Sequence, residues 1–139
     1  MNQTSNDPSL LHHLSAVLSR HADQALQEQL GIGVSQYRIM MAVQANPHLQ
    51  QRHIADNLNQ TEASISRQIK LLVNVVLIES RFNPKNRRAH MTALTPKRQR
   101  FTESAKNIFA KSHQLALDSL SDKQQKAFFE ALAVIRRQI

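Results

Sequence analysis

Only two glycines, Gly31 and Gly33, occur among the 139 residues, and they stand two apart. Barrels and sandwiches need many turns whose positive φ angles glycine adopts without a steric penalty. A chain this poor in glycine is directed instead towards helices with short connections. One Tyr, five Phe and no Trp leave the core to aliphatic side chains. The length suits a single domain with a core of its own. The absence of cysteine excludes disulfides, thiolate metal sites and thiol redox chemistry. The first residues, MNQTSNDPS, are polar, and the apolar run 71–78 is broken by Asn74 and is too short to cross a bilayer. The expected location is the cytoplasm.

Hydrophobic spacing places the helices. Asp7-Pro8 supplies an acidic cap and a proline at the first helical position. Leu11, Leu14, Leu18, Ala22 and Ala25 then recur as one stripe, with Gly31 as a left-handed stop. Ser35 is the expected cap of a second helix whose apolar side is Ile39, Met40 and Val43, closed by Asn46-Pro47. A third helix over about 50–58 turns Ile54, Ala55 and Leu58 inward, and Asn59, tolerant of positive φ, makes the turn. Thr61 caps a fourth helix reaching about Val76.

The stretch 51–69 has helix-turn-helix spacing, with Ala55 small enough for a close crossing and Ile65 and Ile69 packing the second helix back. On a wheel of 100° per residue, Ile65, Ile69, Leu72 and Val76 lie within about 60° of one another. Opposite them lie Ala63, Arg67, Lys70 and Asn74, with Ser64 and Ser66 on the shoulders, and no acid follows Glu62. Short polar side chains near the helix start allow close approach to a phosphate or a base edge, and Arg67 can pair with guanine through two bonds.

The period then changes. Residues 77–82, the turn Asn83-Pro84-Lys85-Asn86 and residues 87–94 read as strand, turn, strand, a hairpin too small to stand alone. Thr95-Pro96 is the expected restart of helix, running to about Leu117 with Phe101, Ala105, Ile108, Phe109 and Leu115 apolar. Ser121 caps a last helix with a stripe of Phe128, Leu132 and Ile135.

The net charge of +8 is concentrated. Residues 1–66 hold three bases and five acids, whereas 67–100 hold nine bases and Glu79 alone. A polyanion-binding surface gathers charge in this way, and a merely solvated surface spreads it. The hairpin bases Arg81, Lys85, Arg87 and Arg88 beside a polar, basic helix suit a probe of the minor groove, where negative potential is focused. The candidate contact set for double-stranded DNA is Thr61, Ala63, Ser64, Ser66, Arg67, Lys70, Arg81, Lys85, Arg87 and Arg88.

The run IADNLNQTEASISRQIKLLVNVVLI followed by NPKNRRAHMTALTPK resembles the MarR family of winged-helix regulators. The likeness implies a mainly α fold with a small β-hairpin wing. The winged helix-turn-helix would occupy 35–95, with helical dimerisation parts at 8–30 and 96–139, in one domain over 1–139. It also implies a recognition helix from Thr61 to about Val73, a wing arginine at Arg88 and a homodimer on a near-palindromic operator. Repression released by a small-molecule effector is the expected output. Asn86, Val76 and Arg98 depart from the family pattern, and Gln60 and Gln68 stand where apolar residues are common.

Two other classes compete with this reading. A catalyst lacks support, with no glycine-rich phosphate loop, no cysteine and no evident acid/base pair. None of the seven histidines forms an HxxxH or HExxH pair, so no metal or cofactor is expected, although some proteins of the MarR kind sense zinc. The alternative to a regulator is a winged helix that docks on another protein and has lost DNA binding.

Overall fold

A computed structural model describes residues 6–74, 78–83, 86–95 and 98–139, and within 78–94 it describes the backbone. Among the described residues, six helices and three strands follow in order: α1 (Pro8–Leu30), α2 (Val34–Ala45), β1 (Leu49–Gln50), α3 (Gln51–Leu58), α4 (Glu62–Asn74), β2 (Ile78–Asn83), β3 (Asn86–Leu94), α5 (Gln99–Asp118) and α6 (Asp122–Gln138). The mainly α class with a hairpin wing is observed.

Local chemistry explains the boundaries. Asp7 caps α1, its carboxylate accepting the Ser9 N–H at 3.0 Å, with Pro8 at the first position. The Ser9 hydroxyl also donates to that carboxylate, and these two bonds hold its pKa below the usual aspartate value. Gly31 ends the helix at φ 71°, and its N–H reaches the Gln27 carbonyl at 3.0 Å.

The start of α2 differs from expectation. Gly33, not Ser35, is the cap residue, and the capping acceptor comes from another helix. Asp23 of α1 accepts the Val34 N–H at 2.9 Å through one oxygen and the Gln27 amide at 2.9 Å through the other. Gln36 accepts the Gly33 N–H at 2.8 Å. A Cβ on Gly33 would meet the Asp23 carboxylate at 2.8 Å, so a larger residue here would push that carboxylate from its capping position.

Asn59 stands at φ 55° as expected, and the end of α3 is a Schellman pattern: Asn59 N–H donates to Asp56 at 3.3 Å and Gln60 N–H to Ala55 at 2.9 Å. Among the described residues, His48, after Pro47, is the other non-glycine residue at positive φ, 65°.

Three further features were not foreseen. The two-residue β1 pairs with β3 through Leu49↔Thr92 and Gln50↔Met91, giving an antiparallel sheet ordered β1-β3-β2. The hairpin strands also extend to Asn83 and Asn86, one residue further into the turn from each side. Finally, α5 begins at Gln99 rather than beside Thr95: Arg98 holds its cap position, donating its N–H to the Thr95 carbonyl at 3.0 Å and accepting the buried Thr102 hydroxyl at 3.1 Å. Pro96 and the expected end of α4 at Val76 lie outside the described residues.

The core gathers Leu26 from α1, Tyr37, Ile39, Met40 and Val43 from α2, Ile54 and Ala55 from α3, and Ile65, Ile69 and Leu72 from α4, with Leu49 and Ala105. It therefore lies mainly under the helix-turn-helix. At the periphery, Ala22 of the α1 stripe and Ala105 of the α5 stripe are buried, whereas other parts of the expected inward stripes stay in solvent in the single chain. Leu11 and Leu14 of α1, Leu115 of α5, and Phe128 and Ile135 of α6 are exposed, and α6 contains no buried residue. Among the described residues no helix is long and apolar enough to cross a membrane.

Candidate nucleic-acid interface

The helix-turn-helix is built from the turn outward. The left-handed Asn59 reverses the chain so that α4 crosses α3, and Thr61 opens α4 by accepting the Ser64 N–H on Oγ1 at 3.1 Å. The Thr61 carbonyl accepts the Ile65 N–H at 3.1 Å, the first backbone bond of the helix. Ile65, Ile69 and Leu72 then anchor one face in the core, at most 2% exposed. Burial of this face leaves the wheel's other side outward: Ala63, Arg67, Lys70 and Asn74 are exposed, and Ser64 and Ser66 are half-buried. Six of the ten expected contact residues, Thr61, Ala63, Ser64, Ser66, Arg67 and Lys70, thus lie on the cap, outer face and shoulders of one helix. Positive charge without acid after Glu62 gives that face a potential suited to phosphate.

Of the remaining four, Arg81, Arg87 and Arg88 belong to the hairpin strands. β2 packs against α4, so the hairpin leaves from the flank of this helix. Arg81 pairs with Met91 across the two strands. The register is regular from Ile78↔Leu94 to Phe82↔His90 and then shifts, so that Asn83 faces Asn86. Arg87 and Arg88 fall in the irregular stretch of β3 between those paired positions. Lys85 lies outside the described residues.

One residue was missed. Gln60, half-buried in the turn, accepts the Ser64 hydroxyl on Oε1 at 3.3 Å. The available signal was a polar amide four residues before a serine, at a position where an apolar residue was expected.

Away from this face, Tyr37 of α2 stacks on Phe109 of α5 at 4.6 Å, and His113 lies tilted against Phe109 at 4.5 Å. His113 Nδ1 sits 2.8 Å from the Phe109 carbonyl. Burial, with a smaller contribution from the negative charge of Glu103, raises the Tyr37 phenol above its ordinary pKa. The column joins the helix-turn-helix to α5. Among the described residues no group of three or more His, Cys, Asp or Glu could hold a metal ion.

The comparisons with known proteins agree with this geometry. Residues 30–89, which span α2, the helix-turn-helix and most of the hairpin, match the family model described as MarR family. Over these residues the chain is similar to the MarR family. The likeness in fold extends further. A MarR transcriptional regulator from Methanosarcina mazei Go1 superposes with a TM-score of 0.85 at 20% identity, covering 94% of this chain and 93% of that one. MepR of S. aureus, solved as a DNA complex, gives 0.80 at 22% identity, covering 99% of this chain and 100% of that one. PcaV of Streptomyces coelicolor, solved with its natural ligand, gives 0.74 at 20% identity, covering 97% and 98%. At these identities the likeness shows the fold. A search of curated proteins finds no significant match.

Proposed function

We propose that this chain regulates transcription by binding double-stranded DNA sequence-specifically, as a homodimer on a near-palindromic operator, and that it represses until a small-molecule effector releases it. The observation that carries the DNA reading is the α4 surface. Its apolar side is anchored in the core, and its cap, outer face and shoulders present Thr61, Ala63, Ser64, Ser66, Arg67 and Lys70, with no acid beyond the first turn. In this reading α4 enters the major groove and Arg67 pairs with guanine. Arg81, Lys85, Arg87 and Arg88 of the hairpin contact the backbone and the neighbouring minor groove.

The dimer reading rests on the terminal helices. Leu10, Leu11 and Leu14 of α1 and Phe128, Phe129, Val134 and Ile135 of α6 are apolar and exposed in the single chain. Apolar faces on two terminal helices favour association with a second copy. Support for an effector comes from the MarR-family match and from the ligand-bound PcaV relative. In the proposed division of the domain, 35–95 binds DNA and 8–30 with 96–139 joins the two subunits.

The test is a gel-shift titration of promoter-containing duplex at several salt concentrations. Binding should weaken steeply with salt, log K falling against log[salt] with a slope of roughly 0.9 for each phosphate contact. Arg67→Ala should relax base preference, and Arg88→Ala should weaken binding to most sequences alike. A protein that shifts no duplex at low salt, with Arg88→Ala behaving identically, is instead the docking module.

A further inference from the structure

The start of α4 contains two hydroxyls with opposite hydrogen-bond commitments. Thr61 Oγ1 accepts the Ser64 N–H at 3.1 Å and keeps its own proton to donate. Ser64 Oγ donates its only hydroxyl proton to Gln60 Oε1 at 3.3 Å and keeps its lone pairs to accept. Gln60 and Ser64 are both half-buried, so this bond is partly sheltered from competing water. The shoulder occupied by Ser64 adjoins the exposed face of Arg67.

Resting on the DNA reading above, we propose that Gln60 is a positioning residue for specificity. It holds Ser64 as an acceptor, so that the operator position facing Ser64 is restricted to a base offering an exocyclic amine, adenine through N6 or cytosine through N4. Guanine O6 and N7 and thymine O4 are acceptors, and facing a serine whose proton is committed they would meet lone pairs with lone pairs. Thr61, which still holds a proton, is suited to a phosphate oxygen at the same helix start. The pair thus divides its work: Thr61 donates to the backbone and Ser64 accepts from a base.

The experiment is selection of bound duplexes from a randomised pool by the full-length protein and four variants, each first checked for a cooperative thermal transition. The wild type should enrich adenine or cytosine at one position of each half-site, and Ser64→Ala should lose that preference. Gln60→Leu, which keeps the side chain apolar enough for its half-buried place, frees the serine proton. It should admit guanine and thymine there, lowering discrimination about three- to tenfold. Gln60→Glu retains an acceptor, so it should bind all sequences more weakly through its charge while keeping the wild-type base preference. The Ser64→Ala/Gln60→Leu double variant should match Ser64→Ala alone.

The proposal is overturned if Gln60→Leu leaves every position unchanged, or if Ser64→Ala removes no preference. It is equally overturned if Gln60→Glu changes the preference at that position, because an acceptor on residue 60 would then not be what commits the Ser64 hydroxyl in the wild type. A wild type that binds duplex and selects guanine or thymine at that position overturns the inference while the DNA reading stands. One that enriches no duplex overturns both.

Discussion

The helix-turn-helix and the terminal helices use apolar residues in opposite ways. In α2, α3 and α4 the inward residues are sealed: Ile39, Met40, Ile54, Ile65 and Leu72 are fully buried within one chain. In α6 the apolar residues are as regular in sequence, yet none is buried, and Phe129 and Ile135 are about half exposed (50% and 49%). The same 3.6-residue period therefore marks a finished core in one region and an uncovered face in the other. Periodicity reports that a face must be covered, and it is silent about which molecule covers it.

Core truncation should separate the two regions most strongly. Ile65→Ala should destabilise the fold by about 2–5 kcal/mol, measured by urea unfolding at fixed protein concentration, because it empties a fully enclosed site. Phe129→Ala should leave that unfolding free energy nearly unchanged under conditions where the chain is monomeric. An equal loss in both variants would break the contrast.

Association sharpens it from the other side. Phe129→Asp should shift sedimentation towards a single chain, with a cost to association of about 2–3 kcal/mol, the scale of one large apolar side chain's burial. Unchanged association would remove α6 from the proposed subunit contact.

A smaller effect tests the joint between α1 and α2. Gly33→Ala and Asp23→Ala should each cost about 1 kcal/mol, since each removes the carboxylate cap from Val34. Together they should cost little more than one alone, because both act on the same bond. Additive losses in thermal unfolding would show that the cap is not their shared cause.

The smallest concerns Asp7. Its pKa is lowered in the fold, so its contribution is fully present above the unfolded value of 3.8 and is lost as pH falls through the lower folded value. Helical circular dichroism between pH 5 and pH 2 should therefore decline slightly more in the wild type than in Asp7→Asn, which caps without ionising.

Much of the candidate site could be read directly. The outward face of α4 followed from the spacing of Ile65, Ile69 and Leu72, because a helix of known pitch has no freedom to place those residues elsewhere. Asn59 at the turn was legible because few residues other than glycine adopt its backbone conformation. The Asp23 cap on Val34 was not legible, since its partners are eleven residues apart and on different helices. Ser35 was the better local candidate and was displaced by that tertiary acceptor. The strand β1 escaped for a related reason: two residues cannot show a period of two, and their extended backbone is stabilised by pairing with β3. Gln60 looked like an ordinary polar turn residue until its side chain was seen to meet Ser64.

Order along the chain, helix faces and the concentration of positive charge between residues 67 and 100 were determined by sequence alone, because pitch and composition are local properties. Tertiary structure decided which acceptor caps α2 and which strand completes the sheet. Each of these depends on groups brought within about 3 Å by folding, a distance that separation along the chain does not encode.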